Sequence, residues 1–215
     1  MRRPFIRGLL CVSALFAASH LFAQSFIKLR KYSVGVPPQF QIVVRPVEEA
    51  ETLGKGIAAP EWMGKLEVRA LGDRRRTILY ESDLTPGLEF YTASVIANLV
   101  PQAQCLWIVS KTHGWSDPHS TTLDGQLFSI DGEKLTPIWQ STLLEKTSGA
   151  GEGSKLTRDV QFSSSAVNGA TPTIEVTTNV WAESQQELEH LPARPKRSTK
   201  EVFIFDGTKF VSGTN

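Results

Sequence analysis

The chain is predicted to be an all-β protein of antiparallel strands, and three observations carry that expectation. Short runs rich in β-branched and aromatic residues recur along most of its length, each bounded by Gly, Pro, Asn or Asp. Some of these runs alternate with a period of two: Ile174, Val176, Thr178 and Val180 are interleaved with Glu175, Thr177 and Asn179, which gives a strand one wet face. Asp131-Gly132 and Asp206-Gly207 stand where hairpins would turn, since glycine takes a positive φ without strain.

The first 23 residues are set apart from the rest. Arg2, Arg3 and Arg7 form a positive start, Gly8 to Ala18 is an uncharged and mostly apolar run, and a short segment then ends at Ala23. That is the layout of a cleavable secretory signal, with an apolar run too short to anchor in a bilayer. Cleavage is expected after Ala23, delivering the chain to the periplasm or the extracellular space. Arg2-Arg3-Pro4-Phe5-Ile6-Arg7 resembles the twin-arginine export signal, although Met1 stands where a polar residue is usual. An ordinary secretory start is the alternative reading.

Removing that segment leaves 192 of the 215 residues, enough for one domain that buries roughly 70% of its unfolded surface. The remainder carries 20 basic and 22 acidic side chains, a balance that gives no reason to expect nucleic acid. Cys105 is its lone cysteine, so an internal disulfide is excluded. No later apolar run is long enough to span a membrane.

Strand signals fall into three groups of four. The first spans about 26–82, with strands expected at Phe26–Val34, Gln39–Arg45, Lys65–Leu71 and Arg76–Ser82. The second spans about 88–141, with Leu88–Leu99, Gln104–Thr112, Gly125–Ile130 and Lys134–Ser141. The third spans about 156–212, with Leu156–Val167, Thr173–Val180, Lys200–Phe205 and Lys209–Ser212. The second and third groups also read alike: both have an apolar strand, Asp-Gly, and a Lys opening the return strand, at Lys134 and Lys209. Cys105 to Val109 is apolar on both faces, which predicts a central strand and a cysteine that is a small core residue.

Four-stranded units repeating every 60 to 75 residues have the form of propeller blades. Asn168-Gly169 before a strand, followed by Val202-Phe203-Ile204-Phe205-Asp206-Gly207-Thr208-Lys209-Phe210, resembles the FG-GAP or VCBS type of bacterial extracellular propeller repeat. The resemblance covers the last two groups and lacks the Asp-rich calcium loop of those families, so calcium binding is not carried over. Three units are too few to close a propeller. The expected architecture is therefore an open arc of three units, or alternatively a sandwich or barrel.

Under this scheme each unit has a long connection between its second and third strands: Pro46 to Gly64, His113 to Asp124, and Trp181 to Thr199. Equivalent connections of stacked units emerge on one edge, and long loops on a rigid scaffold are where binding residues concentrate. In the middle connection, His113, Trp115, Asp117 and His119 are the candidate ligand-binding residues, with His190 in the third. Trp115 could stack on a sugar ring or a peptide. His113, Asp117 and His119 offer two imidazoles and a carboxylate, a sufficient set for a transition metal, though the spacing matches no closed motif. Two polar loop histidines beside a packed tryptophan are the plainer reading, and no cofactor is expected.

In the third connection, residues 183–191 read as a short amphipathic helix stopped by Pro192, followed by the basic stretch Arg194-Pro195-Lys196-Arg197. The glycine-rich Ser148–Lys155 has no Gly-Lys-Ser/Thr ending and no following helix, so it reads as a flexible linker between units. Nucleophile elbow, paired-cysteine knuckle and dinucleotide fingerprint are all missing from the sequence. The leading expectation is an exported, non-enzymatic module that binds a protein, peptide or glycan of the cell envelope through its long loops. A metal-dependent hydrolase using His113, Asp117 and His119 is one alternative; an oligomeric structural component, two arcs closing a ring, is the other.

Overall fold

The computed structural model describes residues 24–28, 39–46, 63–71, 77–101, 103–114, 119–131, 134–164 and 170–213. Residues 1–23, Trp115, Asp117, the Asp131-Gly132 turn beyond Asp131 and most of the first long connection lie outside these residues. The chain is all-β, as expected, in two antiparallel sheets.

The first sheet sets β1 (Gln24–Lys28), β2 (Gln39–Pro46), β3 (Met63–Leu71) and β4 (Ile78–Glu81) side by side in sequence order. The two-residue β5 (Thr85–Pro86), which the sequence did not predict, pairs with the start of β3. The second sheet begins with β6 (Glu89–Val100), β7 (Ala103–Gly114), β8 (His119–Asp131) and β9 (Lys134–Gly149). It continues through β10 (Glu152–Ser163), β11 (Thr173–Ala182), β12 (Arg197–Phe205) and β13 (Phe210–Ser212), each strand pairing with the next. A single turn and a half of helix, α1 (Gln185–Glu189), sits between β11 and β12.

Although hydrogen-bonded as one sheet, the eight strands form two layers. Leu144–Gly149 of β9 pair with Glu152–Thr157 of β10, but the earlier half of β9 pairs only with β8. From Arg158 onward β10 pairs only with β11 and turns away. Where the strands part, the Arg158 guanidinium donates to the Thr142 carbonyl at 2.8 Å, satisfying a backbone acceptor the ladder leaves open.

The consequence is an aromatic cluster built from strands that would be far apart in a flat sheet. β7 and β10 are three strands apart, a separation of about 14 Å if flat. Yet the ring centroids of Trp107 and Phe162 lie 5.4 Å apart, and those of Trp139 and Phe203, from β9 and β12, lie 5.6 Å apart. The later strands therefore lie over the earlier ones, with Trp107 stacked on Trp139 at 5.8 Å. Ile174, Val176 and Phe210 complete this core.

On the other side of β7, Leu106 and Ile108 join Phe128, Ile130 and Leu135 against Phe40, Ile42, Val44, Leu66 and Val68 of the first sheet. So β6–β9 form a middle layer covered on both faces, which is why Cys105 to Val109 carries no polar residue. Burial pushes the Cys105 thiol up to about 12, against the opposing hydrogen bond to the Val100 backbone. Iodoacetamide at pH 8 is expected to leave the native protein unmodified and to alkylate Cys105 only after denaturation, as mass spectrometry would read. Rapid native labelling would contradict this burial.

Two local expectations are corrected. Ser148–Lys155 is not a linker: Gly149, Ala150 and Gly151, at φ of 113°, 49° and 79°, make a tight turn that closes the β9–β10 hairpin. The connection from His113 to Asp124 is mostly strand, because β7 runs to Gly114 and β8 starts at His119. Ser120, Thr121 and Thr122 extend past the apolar core yet pair with β7 on one side and β9 on the other. Their polarity hid a strand that is held by its ladder rather than by burial.

Edge strand β6 is irregular. Its register with β7 shifts between Phe90 and Thr92 and again between Ile96 and Val100, and Asn98 sits at φ 56°. Such breaks spoil the straight row of free N–H and C=O groups that would otherwise template pairing with another chain.

Candidate functional site at the loop end

An antiparallel meander places alternate connections at the same end. The β7–β8 connection (115–118), the β9–β10 turn and the β11–β12 connection (183–196) therefore open together. The first sheet adds its own. Met63 and Gly64, where β3 emerges from the first long connection, pair with Pro86 and Thr85. Gly87 packs against the His113 backbone so closely that a Cβ there would collide with it, and its φ of +57° suits glycine. The stems of all three connections thus stand at one end of the molecule, although the middle one spans only residues 115–118.

Of the candidate residues, His113 and His119 are on adjacent strands. His113 faces Thr121 across the β7–β8 ladder, and His119 lies two residues from Thr121 on the same face. That makes the two imidazoles diagonal neighbours, about 7–8 Å apart at the backbone. His113 is half-buried; its Nε2 is 3.6 Å from Glu89 Oε2 and its Nδ1 is 3.3 Å from Thr121 Oγ1. His119 is exposed. Asp117 and Trp115 belong to the undescribed connection. Among the described residues no three His, Cys, Asp or Glu side chains gather as a ligand set.

The third connection is ordered by its own charges. Ser184 caps α1, its hydroxyl accepting from the Glu187 N–H at 3.3 Å while Glu187 reaches back to the Glu183 N–H at 2.8 Å. The expected helix is present, and it seats on Gly153 of β10, where a Cβ would strike the Gln185 backbone. Lys196 bridges Glu187 at 2.7 Å and Glu183 at 3.1 Å, and Arg197 lies 3.8 Å from Glu183. Lys196 and Arg197 of the basic stretch are therefore paired with acidic residues at the start of the helix. His190 ends that helix, exposed, its Nδ1 3.3 Å from the Gln186 carbonyl.

Below this end the first sheet and the middle layer part, leaving a groove of about 350 Å³. The middle layer's inner face is apolar under the first sheet, at Leu106, Ile108 and Phe128, and then turns polar toward the loop end. Ser110 of β7, Asp124 of β8 and Thr142 of β9 form one cross-strand row, with Gln126 and Gln140 in the next. Leu66, Ser82, Thr85 and Leu88 form the facing wall. The Thr142 hydroxyl donates to Asp124 Oδ1 at 2.7 Å, and the Tyr80 hydroxyl donates to Gln126 Oε1 at 3.1 Å. Asp124 is the sole ionisable group among the described residues that line the groove.

The sequence reading missed these residues. The signal was there in the alternation: on one face of a single strand Leu106 and Ile108 give way to Ser110 and Thr112. A face that changes from apolar to polar partway along a strand marks the point where its cover ends.

Against protein-family models, curated proteins and solved structures, the chain matches none. What the geometry defines is therefore a class and no more: an all-β protein of two antiparallel sheets, with a polar groove beneath a rim of connections. Among the described residues, no helix is long and apolar enough to cross a membrane.

Proposed function

We propose that the protein is an exported, non-enzymatic binding module, which receives a component of the cell envelope at its loop end. The single observation that supports this best is that the stems of three connections stand at one end, beside a polar groove. A rigid layered scaffold holds them there, as binding sites on β-proteins are commonly built. The groove is lined by hydroxyls, carboxamides and one carboxylate, which offer hydrogen bonds to a polar ligand. The N-terminal segment supports export, with the ligand met outside the cytoplasm.

The test uses the mature chain, its Trp115→Ala variant and its His119→Ala variant, each checked for folding by circular dichroism. Cosedimentation with envelope fragments, and glycan and peptide arrays, are expected to show a retained ligand for the mature chain. Binding should fall at least about tenfold for Trp115→Ala, the loss typical of an aromatic contact removed from a site. Equal retention of all three proteins would overturn the reading.

A further inference from the structure

We infer that the groove between the first sheet and the middle layer takes a neutral saccharide, with Asp124, Gln126 and Gln140 as its polar contacts. This rests on the binding reading above and specifies its ligand.

The chemistry of the walls selects the ligand class. An extended peptide is usually held by main-chain hydrogen bonds to a sheet edge. Here β7 and β8 are paired on both sides, Asp124 with Ser110 and with Thr142, and the open side of β9 at Thr142 has its carbonyl taken by the Arg158 guanidinium. Side chains are what remains to offer: hydroxyls, two carboxamides and one carboxylate. An anionic ligand would meet Asp124 with no lysine or arginine among the described lining residues to offset it.

A pyranose ring suits what is left. Its hydroxyls donate and accept, and its C–H face is apolar. Thr142 occupies one oxygen of Asp124, leaving the other to accept from a ligand hydroxyl. Tyr80 takes the Gln126 carbonyl, leaving the amide nitrogen as the donor. Leu66 and Leu88 supply an apolar surface opposite. The volume, about 350 Å³, sits at the small end of ligand pockets. One or two sugar units fit that size.

Saturation-transfer NMR and calorimetry on the full mature chain would test this, using neutral di- and trisaccharides of glucose and of N-acetylglucosamine as probes. A sulfated disaccharide and an uncharged tripeptide serve as comparators. A neutral saccharide is expected to bind, with affinity unchanged between about 0.05 and about 0.5 M salt, because there is no charge pair for salt to screen. Asp124→Asn keeps the acceptor for Thr142 and should weaken binding about tenfold, as should Gln140→Ala at an exposed position. Unchanged affinity in both variants, preference for the tripeptide or the sulfated sugar, or absence of saccharide binding would each overturn the inference. If Trp115→Ala still abolishes envelope binding in that case, the binding module stands and the groove assignment alone falls.

Discussion

Replacing both Arg45 and Arg69 by methionine is expected to destabilise the protein by about 3–5 kcal/mol, the cost of leaving a buried charge without its partners. Glu67 lies on β3 with its side chain 1% exposed, and both guanidinium groups reach it: Arg45 Nε at 2.7 Å to one oxygen, Arg69 to the other. Burial by itself would raise the Glu67 pKa; the hydrogen bonds and charges of Arg45 and Arg69 outweigh it and hold the carboxyl below its ordinary 4.5. Methionine keeps an unbranched apolar stem while removing the guanidinium and its charge.

The pH dependence then discriminates this cause from simple loss of packing. In the natural protein the folded pKa is depressed, so Glu67 contributes stability that is present above about 4.5 and is lost as pH falls through the folded value. In the double variant only burial remains, and the folded pKa is raised above the unfolded one. Its folded state then binds the proton more readily, and stability attributable to Glu67 increases as pH falls. Urea unfolding at a series of pH values between neutral and acidic should show slopes of opposite sign for this contribution. Parallel curves would show that the ion pairs do not govern it. The single variant Arg45→Met should cost less, because Arg45 is 45% exposed and its charge is partly screened by water.

Gly125→Val is expected to cost about 3 kcal/mol, the upper end of the usual range for overpacking a core. The reason is space and not backbone conformation. Trp107 lies across Gly125 from the paired strand, and a Cβ at residue 125 would come within 2.0 Å of its indole Cη2. That ring cannot retreat, because Trp139 and Phe162 pack on it and tie the middle layer to the later strands. Denaturant midpoints of Gly125→Val, Trp107→Leu and the double variant would measure the coupling. The double variant should be more stable than the sum of the single losses predicts, by about 1–3 kcal/mol. Strict additivity would mean that the indole and the glycine do not share this space.

Much of the secondary structure was legible, and the reason lies in particular residues. β-branched and aromatic runs bounded by Gly, Pro, Asn and Asp located twelve of the thirteen strands among the described residues; β5, at two residues, is too short to carry a pattern. Asp206-Gly207 forms a turn of the kind foreseen. Its carboxylate accepts from the N–H of Lys209 and of Thr208 and from the Thr208 hydroxyl, which holds its pKa down to about 2, and Gly207 takes φ 103°. The wet face of β11 departs from expectation at one position. Asn179 is 8% exposed, because it donates to Asp159 at 2.9 Å and accepts from Ser198 at 2.6 Å. Alternation identifies which side a residue faces; it does not say what will bond to it there.

The candidate site was legible only in outline. The position of the rim follows from strand order, which local pattern can reveal. The groove does not, because it exists only where one layer stops covering another, and the lining residues come from both sheets. Ser110, Thr142 and Gln140 look like ordinary solvent-facing strand residues when each is read alone.

Local pattern was enough for most of the strands, the Asp206-Gly207 turn, the buried cysteine and the double-sided apolar run of β7. All of these are set by neighbours within a few residues, through sterics and the period of two. Tertiary structure alone decided that eight strands would fold over into two layers. It also joined Trp107 to Phe162 and placed Asp124 in a groove. Those outcomes depend on where a ladder stops pairing and which faces then meet, and that balance is struck between residues far apart in the chain.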